Sequence, residues 1–324
     1  MTPLLDLPHR EAVRRLRDGA VVFLFANPVE FHGPHLSLHN DHLVSRGLAG
    51  ALEERLRVTH PDWDFLATAD LEAGMEPVAG PGTRHPPFHV VRALVLESCR
   101  ALLEMGARRV ILMTFHGDPM HNHALQAGVE LLRRGGARAF NPFNGMMQEM
   151  LGWKADEPSL AGAVAHLPAD RREDVLRTLN LDFHAGFLET SLALHYAPHS
   201  VDPVHRTLPP CAPWTRDGAF LAAAAVARRA GAAELARDLA FAAEAMGWKA
   251  LRPFPGYTSA PSWATPEAGA IIGASVVSRF AAAAEDVLAG RGDGPAPVMG
   301  WLLGATLGGR VALPVPSLET LGLA

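Results

Sequence analysis

Apolar residues fall into two kinds of run along this chain. Val21–Ala26 and Arg109–Phe115 are short and nearly continuous, with no polar alternation. That is how a parallel strand covered on both faces reads. Asp64–Thr68 and Ala137–Phe140 predict two further strands. Between them the spacing lengthens to three and four. Leu43, Val44, Leu48, Leu52 and Leu56 draw one stripe along a helix, with Asn40 or Asp41 as its N-cap. Residues 9–18, 90–105 and 123–134 predict three more helices, the second closing at Gly106. Strand–helix alternation of this kind predicts an α/β fold with a mainly parallel sheet and helices on both faces.

The pattern loosens after residue 142. Short helices are expected at 158–165 and 169–179, and a firmer one at Ala185–Tyr196. Five prolines mark 198–214 as loop, and Gly and Pro do the same for 74–87. Alanine-rich helical stretches follow at 217–246 and 265–289, and the last thirty or so residues are apolar but unpatterned. No repeat and no long linker divides the chain. The expectation is one domain over 1–290, with 205–250 as a helical insertion and 291–324 as a C-terminal extension.

Composition narrows the function classes. In 324 residues, 48% are apolar, enough for a large core, and the net charge is −5. No basic patch points to nucleic acid, and no run of about 18 apolar residues predicts a membrane span. The N-terminus lacks the apolar core of a signal peptide. Cys99 and Cys211 form no pairing pattern, so a reducing, cytoplasmic setting is expected.

Sixteen histidines is a high count, and several cluster with acids. Glu30, His32 and Asp41 follow the first strand, where residues two apart face the same side. His116 and Asp118 follow the strand at 109–115. In parallel sheets the carboxyl ends of the strands share one edge, so both clusters are expected in one crevice. Imidazole and carboxylate converging there suggest a metal site. Asp118 serves equally well as N-cap of the next helix. A third cluster, His184 with Glu189, converges best if His184 sits just before the helix. Glu189 divides evenly between the site and a helix surface. His35, His39, His42, His121 and His123 are expected around the ligands rather than among them. Trp153 and Trp263 are expected in packing, with a tryptophan over a small flat substrate as the alternative.

These residues carry a resemblance. Glu30-Phe31-His32-Gly33-Pro34-His35-Leu36 with Asp41, the loop Pro81-Gly82-Thr83, Phe115-His116-Gly117, His184-Ala185-Gly186 with Glu189-Thr190-Ser191, and the stretch Gly256–Gly269 resemble, in order, the motifs of the creatininase (creatinine amidohydrolase) family. The matches span about residues 21–290. The resemblance implies a three-layer α/β/α fold, two divalent metal ions (Zn, Mn or Fe), hydrolysis of an amide-type C–N bond in a small molecule, and a homo-oligomer, often a hexamer. It implies Glu30 and His116 on one metal, His32 on the other, and Asp41 between them. Asp118 or Glu189 would complete the second metal's ligands. His184 would be the general acid, with Glu189 orienting it or binding metal.

The sequence departs from the family at Asn27-Pro28, Phe31, Ser37, Asp118-Pro119 and Phe187. Ligand positions survive and their neighbours change, so these neighbours are expected to touch a substrate other than creatinine. The alternatives are a deformylase-like or peptide-trimming member, or a non-catalytic metal-binding homologue.

Overall fold

The computed structural model describes residues 1–153 and 158–323. Five parallel strands form one sheet in the order β1-β3-β2-β4-β5. Along the chain come β1 (Thr2–Pro3), α1 (His9–Arg17), β2 (Val21–Phe25), α2 (Asn40–Thr59), β3 (Phe65–Asp70), α3 (Phe88–Glu104), β4 (Arg109–Met113), α4 (Pro119–Arg134) and β5 (Arg138–Phe140). The chain steps outward from β2 to β3, returns past β2 to β4, and continues to β5. The direction of winding therefore reverses between β2 and β4. Loops leaving these two strands diverge, and the crevice they open is where α/β sheets bind ligands.

Alternation along β2 divides the core. Val21, Phe23 and Phe25 pack with Leu48, Leu52 and Leu56 of α2. Val22 and Leu24 face the other way, against Leu16 of α1, Val95 and Leu102 of α3, and Leu125 and Val129 of α4. Helices thus cover both faces, in three layers. Leu48 is fully buried at the centre of one face. Leu48→Ala is expected to cost about 3 kcal/mol of stability, read as a lower denaturant midpoint at unchanged slope.

The second half of the chain adds α5 (Phe143–Leu151), α6 (Ala169–Thr178), α7 (Phe187–Tyr196), α8 (Gly218–Arg229), α9 (Ala233–Lys249), α10 (Pro266–Leu288), α11 (Trp301–Ala305) and α12 (Leu318–Leu321). Several bounds differ from those expected. β3 starts one residue later than predicted and runs to Asp70. His39, not Asn40 or Asp41, occupies the cap position of α2, without a side-chain bond. Both polar residues lie inside the first turn and are buried. The stretch 217–246 is two helices, turned at Gly231, whose φ of +76° suits glycine. Ala224 and Ala227 of α8 then pack on Ala236 and Leu239 of α9. β1 is too short to register as an apolar run, yet Thr2 and Pro3 pair with Leu66 and Ala67. No helix among the described residues is long and apolar enough to cross a membrane.

Candidate metal centre

Asn27 latches three strand ends together. Its amide nitrogen donates to Ser45 Oγ and to Asp70 Oδ2, and its Oδ1 accepts the Phe115 amide, one residue before His116. Beyond Asn27 the chain runs past Glu30 and His32 into the loop before α2. Thr83 Oγ1 accepts the Phe31 amide and donates to the Val78 carbonyl. The Val78 amide in turn donates to Glu30 Oε1 at 2.5 Å. The Pro-Gly-Thr loop therefore holds a ligand carboxylate in place.

The third cluster is built just ahead of α7. His184 sits three residues before the helix begins, as its convergence required. Thr258 grips its backbone in both directions, accepting the His184 amide and donating to its carbonyl. Asp182 Oδ2 accepts the Leu188 amide, and Glu189 Oε2 accepts the Ala185 amide. Ala185 takes a positive φ of 48°, a strained state for a residue with a Cβ. Those surrounding bonds hold it there.

Three imidazoles share one logic. His116 Nε2 donates to the Met75 carbonyl, His32 Nδ1 to the Glu30 carbonyl and His184 Nε2 to the Phe31 carbonyl. A backbone carbonyl only accepts, so each neutral ring turns a lone pair toward the carboxylates. His116 Nδ1 lies 3.0 Å from Glu30 Oε2 and 3.4 Å from Asp41 Oδ2. His32 Nε2 lies 3.1 Å from Asp41 Oδ1, 3.6 Å from Glu189 Oε2 and 3.9 Å from Glu30 Oε2. His184 Nδ1 is 3.9 Å from Glu30 Oε1.

Acceptors thus face acceptors in a buried space. Glu30 Oε2 and Asp41 Oδ2 are buried without a well-directed donor. Lone pairs converging in this way need a cation between them, and mixed nitrogen and oxygen donors suit Zn²⁺, Mn²⁺ or Fe²⁺. Two groups of three have their ligand atoms within 4.8 Å of one another: Glu30, Asp41 and His116, and Glu30, His32 and His184. The residues present fit divalent metal.

Protons are the competing occupants. Burial opposes charge on His32, yet Asp41, Glu30 and Glu189 outweigh it and raise its pKa to about 10. His116 is likewise raised well above its usual range against burial, by Glu30 and Asp41. Asp41 is held well below the carboxylate range despite burial, by His32 and His116. Burial pushes Glu189 up to about 8, and burial together with His32 pushes His184 down to about 4.

Asp118 stands apart. Its Oδ1 accepts the His121 amide, capping α4, and it joins neither group of converging ligand atoms, although it lines the same cavity. The surrounding histidines take supporting places. His35 bonds Thr190, His42 bonds Asp70, His121 reaches Thr114 and the Ala26 carbonyl, and His123 bonds the Val298 carbonyl.

The ligand atoms open into a cavity of ≈ 130 Å³ walled by Phe115, Phe143, Met147, Leu188 and, from α9, Trp248 and Lys249. One expectation about this wall needs correcting. Phe31 does not line it; the ring sits tight against Gly80 and Gly256, on the side opposite Glu30 and His32. The period-two alternation that paired Glu30 with His32 already implies this. Trp153 and Trp263 pack against the core, as expected; the tryptophan near the site is Trp248, whose ring lies 5.4 Å from His184. No local signal marks it, because it arrives from a helix two hundred residues beyond the first ligands. Asn27, Asp70 and Thr258 were missed as positioning residues because their bonds join segments that are separate in the sequence.

The family profile described as "Creatininase: Creatinine amidohydrolase" matches residues 6–284. No curated protein matches the chain. Among solved structures, a creatininase with Mn is 21% identical over 87% of this chain and 97% of its own, at a TM-score of 0.55. A creatinine amidohydrolase (creatininase) is 20% identical over 87% and 96%, at 0.58. A mutant creatininase of Zn-Zn type is 19% identical over 89% and 99%, at 0.56. At such identities the structural likeness concerns the fold. The profile spans most of the chain, and with the same motifs gathered at one sheet edge this protein belongs to the creatininase family of amidohydrolases.

Proposed function

We propose that this chain is a metal-dependent hydrolase that uses two divalent ions to cleave a non-peptide C–N bond, of cyclic-amide or formamide type, in a small molecule. The supporting observation is the buried convergence of Glu30, His32, Asp41 and His116 on a cavity of small-molecule size. Glu30, Asp41 and His116 would hold one ion. His32 and Asp41 would hold the other, completed by Glu189, whose Oε2 lies 3.6 Å from His32 Nε2. When bound, the ions would supply Lewis-acid polarisation of the scissile carbonyl and an activated water near neutral pH.

Asp41 suits a shared position, since its two oxygens face different histidines. His184 enters neutral, with Nδ1 as an open acceptor toward the site. We assign it the proton transfer, from the attacking water to the departing nitrogen, which needs it first as base and then as acid. Glu189 holds the turn that presents it. The apolar wall excludes bulk water and favours a compact substrate. A homo-oligomer in a cytoplasmic setting, with neither nucleic acid nor membrane as partner, completes the proposal.

Metal analysis and a panel of lactams, hydantoins, formamides and creatinine test it. More than one metal equivalent per chain and turnover lost on chelation, then restored by Zn²⁺, Mn²⁺ or Fe²⁺, are expected. His184→Gln is expected to lower kcat by about 10²–10⁴-fold while metal content stays unchanged. Metal without any turnover across the panel would instead select a non-catalytic homologue, a reading favoured by the use of Asp118 as a helix cap.

A further inference from the structure

A second cavity, of ≈ 330 Å³, adjoins the first. Glu76, Val78 and Lys249 line both. Its remaining wall comes from the end of α9, from Phe254, and from the C-terminal extension, including Leu313, Val315 and Leu321. Leu313 and Val315 are 56% and 53% exposed, which leaves an apolar surface open to water beside the site. The charges there are mostly positive: Lys249, Arg252 and His85 when protonated, against Glu76.

Lys249 stands at the junction. Among the described residues its ammonium has no carboxylate within ion-pair distance, although acids line both cavities. Its charge is felt by Asp118 on one side and by His85 on the other. Of 29 basic residues only Lys154 and Lys249 are lysine, so the junction carries a long flexible stem and a compact charge where the chain otherwise uses arginine.

We propose that Lys249 is a specificity-determining residue, and that the substrate carries beyond its scissile bond a short hydrocarbon stem ending in a carboxylate. The scissile bond sits by Glu30 and His184. The stem lies against Val315 and Phe254, and the carboxylate meets the Lys249 ammonium. This rests on the hydrolase proposal for the bond cleaved, while the subsite itself is a matter of binding.

The test uses full-length protein loaded with Zn²⁺ and two hydantoins that differ only in a butyl or a carboxypropyl side chain. Calorimetric affinity and turnover are measured for both. The carboxypropyl compound is expected to bind about tenfold more tightly, as a charge-assisted contact allows. Lys249→Met should erase that preference, and Lys249→Arg should keep most of it. Val315→Asp should weaken both compounds, since both stems lie against Val315, and the carboxypropyl compound the more, by repulsion of its carboxylate, which places that carboxylate in the second cavity. Equal affinities, no binding of either compound, or a preference untouched by Lys249→Met or Val315→Asp overturns the inference. A preserved preference without turnover of either compound leaves the subsite standing and counts against the hydrolase proposal.

Discussion

Asp41→Asn is expected to empty the site of divalent metal and to lower hydrolysis by roughly 10³-fold, the rate equivalent of several kcal/mol of lost Lewis-acid stabilisation. Asp41 is the carboxylate whose two oxygens face His32 at 3.1 Å and His116 at 3.4 Å. An amide has the same shape but offers one good acceptor, and it turns a donor toward the other ring. The clustered acceptors that favour a cation are thereby relieved by a hydrogen bond instead. Two measurements check this. Elemental analysis should fall from about two ions per chain, the number such a pair of sites holds, to less than one. The melting temperature, sensitive to chelation in the parent because bound metal stabilises the fold, should become insensitive in the variant. A variant that keeps its full metal content would remove Asp41 from the centre.

Gly186→Ala is expected to cost about 3 kcal/mol of stability by overpacking and to lower kcat further than metal content. A Cβ built at Gly186 would collide with Asp182 Oδ1 and come within 2.6 Å of the Thr258 carbonyl. Both neighbours are backbone or tightly bonded groups. Asp182 anchors the first turn of α7 through the Leu188 amide, and Thr258 grips His184 from both sides. Relief of the clash must move one or both, and His184 moves with them. Glu30, His32 and His116, in the segments after β2 and β4, and Asp41, in α2, lie outside this turn and should keep their metal. Denaturant unfolding, metal analysis and steady-state kinetics together separate this from simple loss of fold. If kcat holds while stability falls, the turn at 184–186 has no part in positioning the histidine.

Much of the convergence of acids and histidines was legible because the rule that places it is local. Glu30 and His32 are two apart after a strand and face the same point, and His116 follows a second strand of the same sheet. Parallel pairing of β2 with β4, in register from Val21 with Arg109 to Phe25 with Met113, carries both clusters to one edge. The same alternation sends Phe31 away, and this was misjudged: the ring fills the space left by Gly80 and Gly256 rather than touching substrate. Asp118 shows the limit of spacing alone, since one carboxylate can cap a helix or reach a cavity and only the backbone around it decides.

The chain by itself determined the sheet, the edge at which ligands gather and which residue types gather there, since apolar runs, alternation and strand ends act over a few residues. Tertiary structure decided everything that depends on distant segments meeting. It set which ring nitrogen is left open, because the carbonyls of Glu30, Phe31 and Met75 take the other one. It also set the shape of the cavity, because Trp248 and Lys249 come from α9 and Val315 from the extension. A hydrogen-bond partner or a packing neighbour two hundred residues away leaves no mark on local periodicity, and that is where the chemistry of the metal centre and the selectivity of its walls are written.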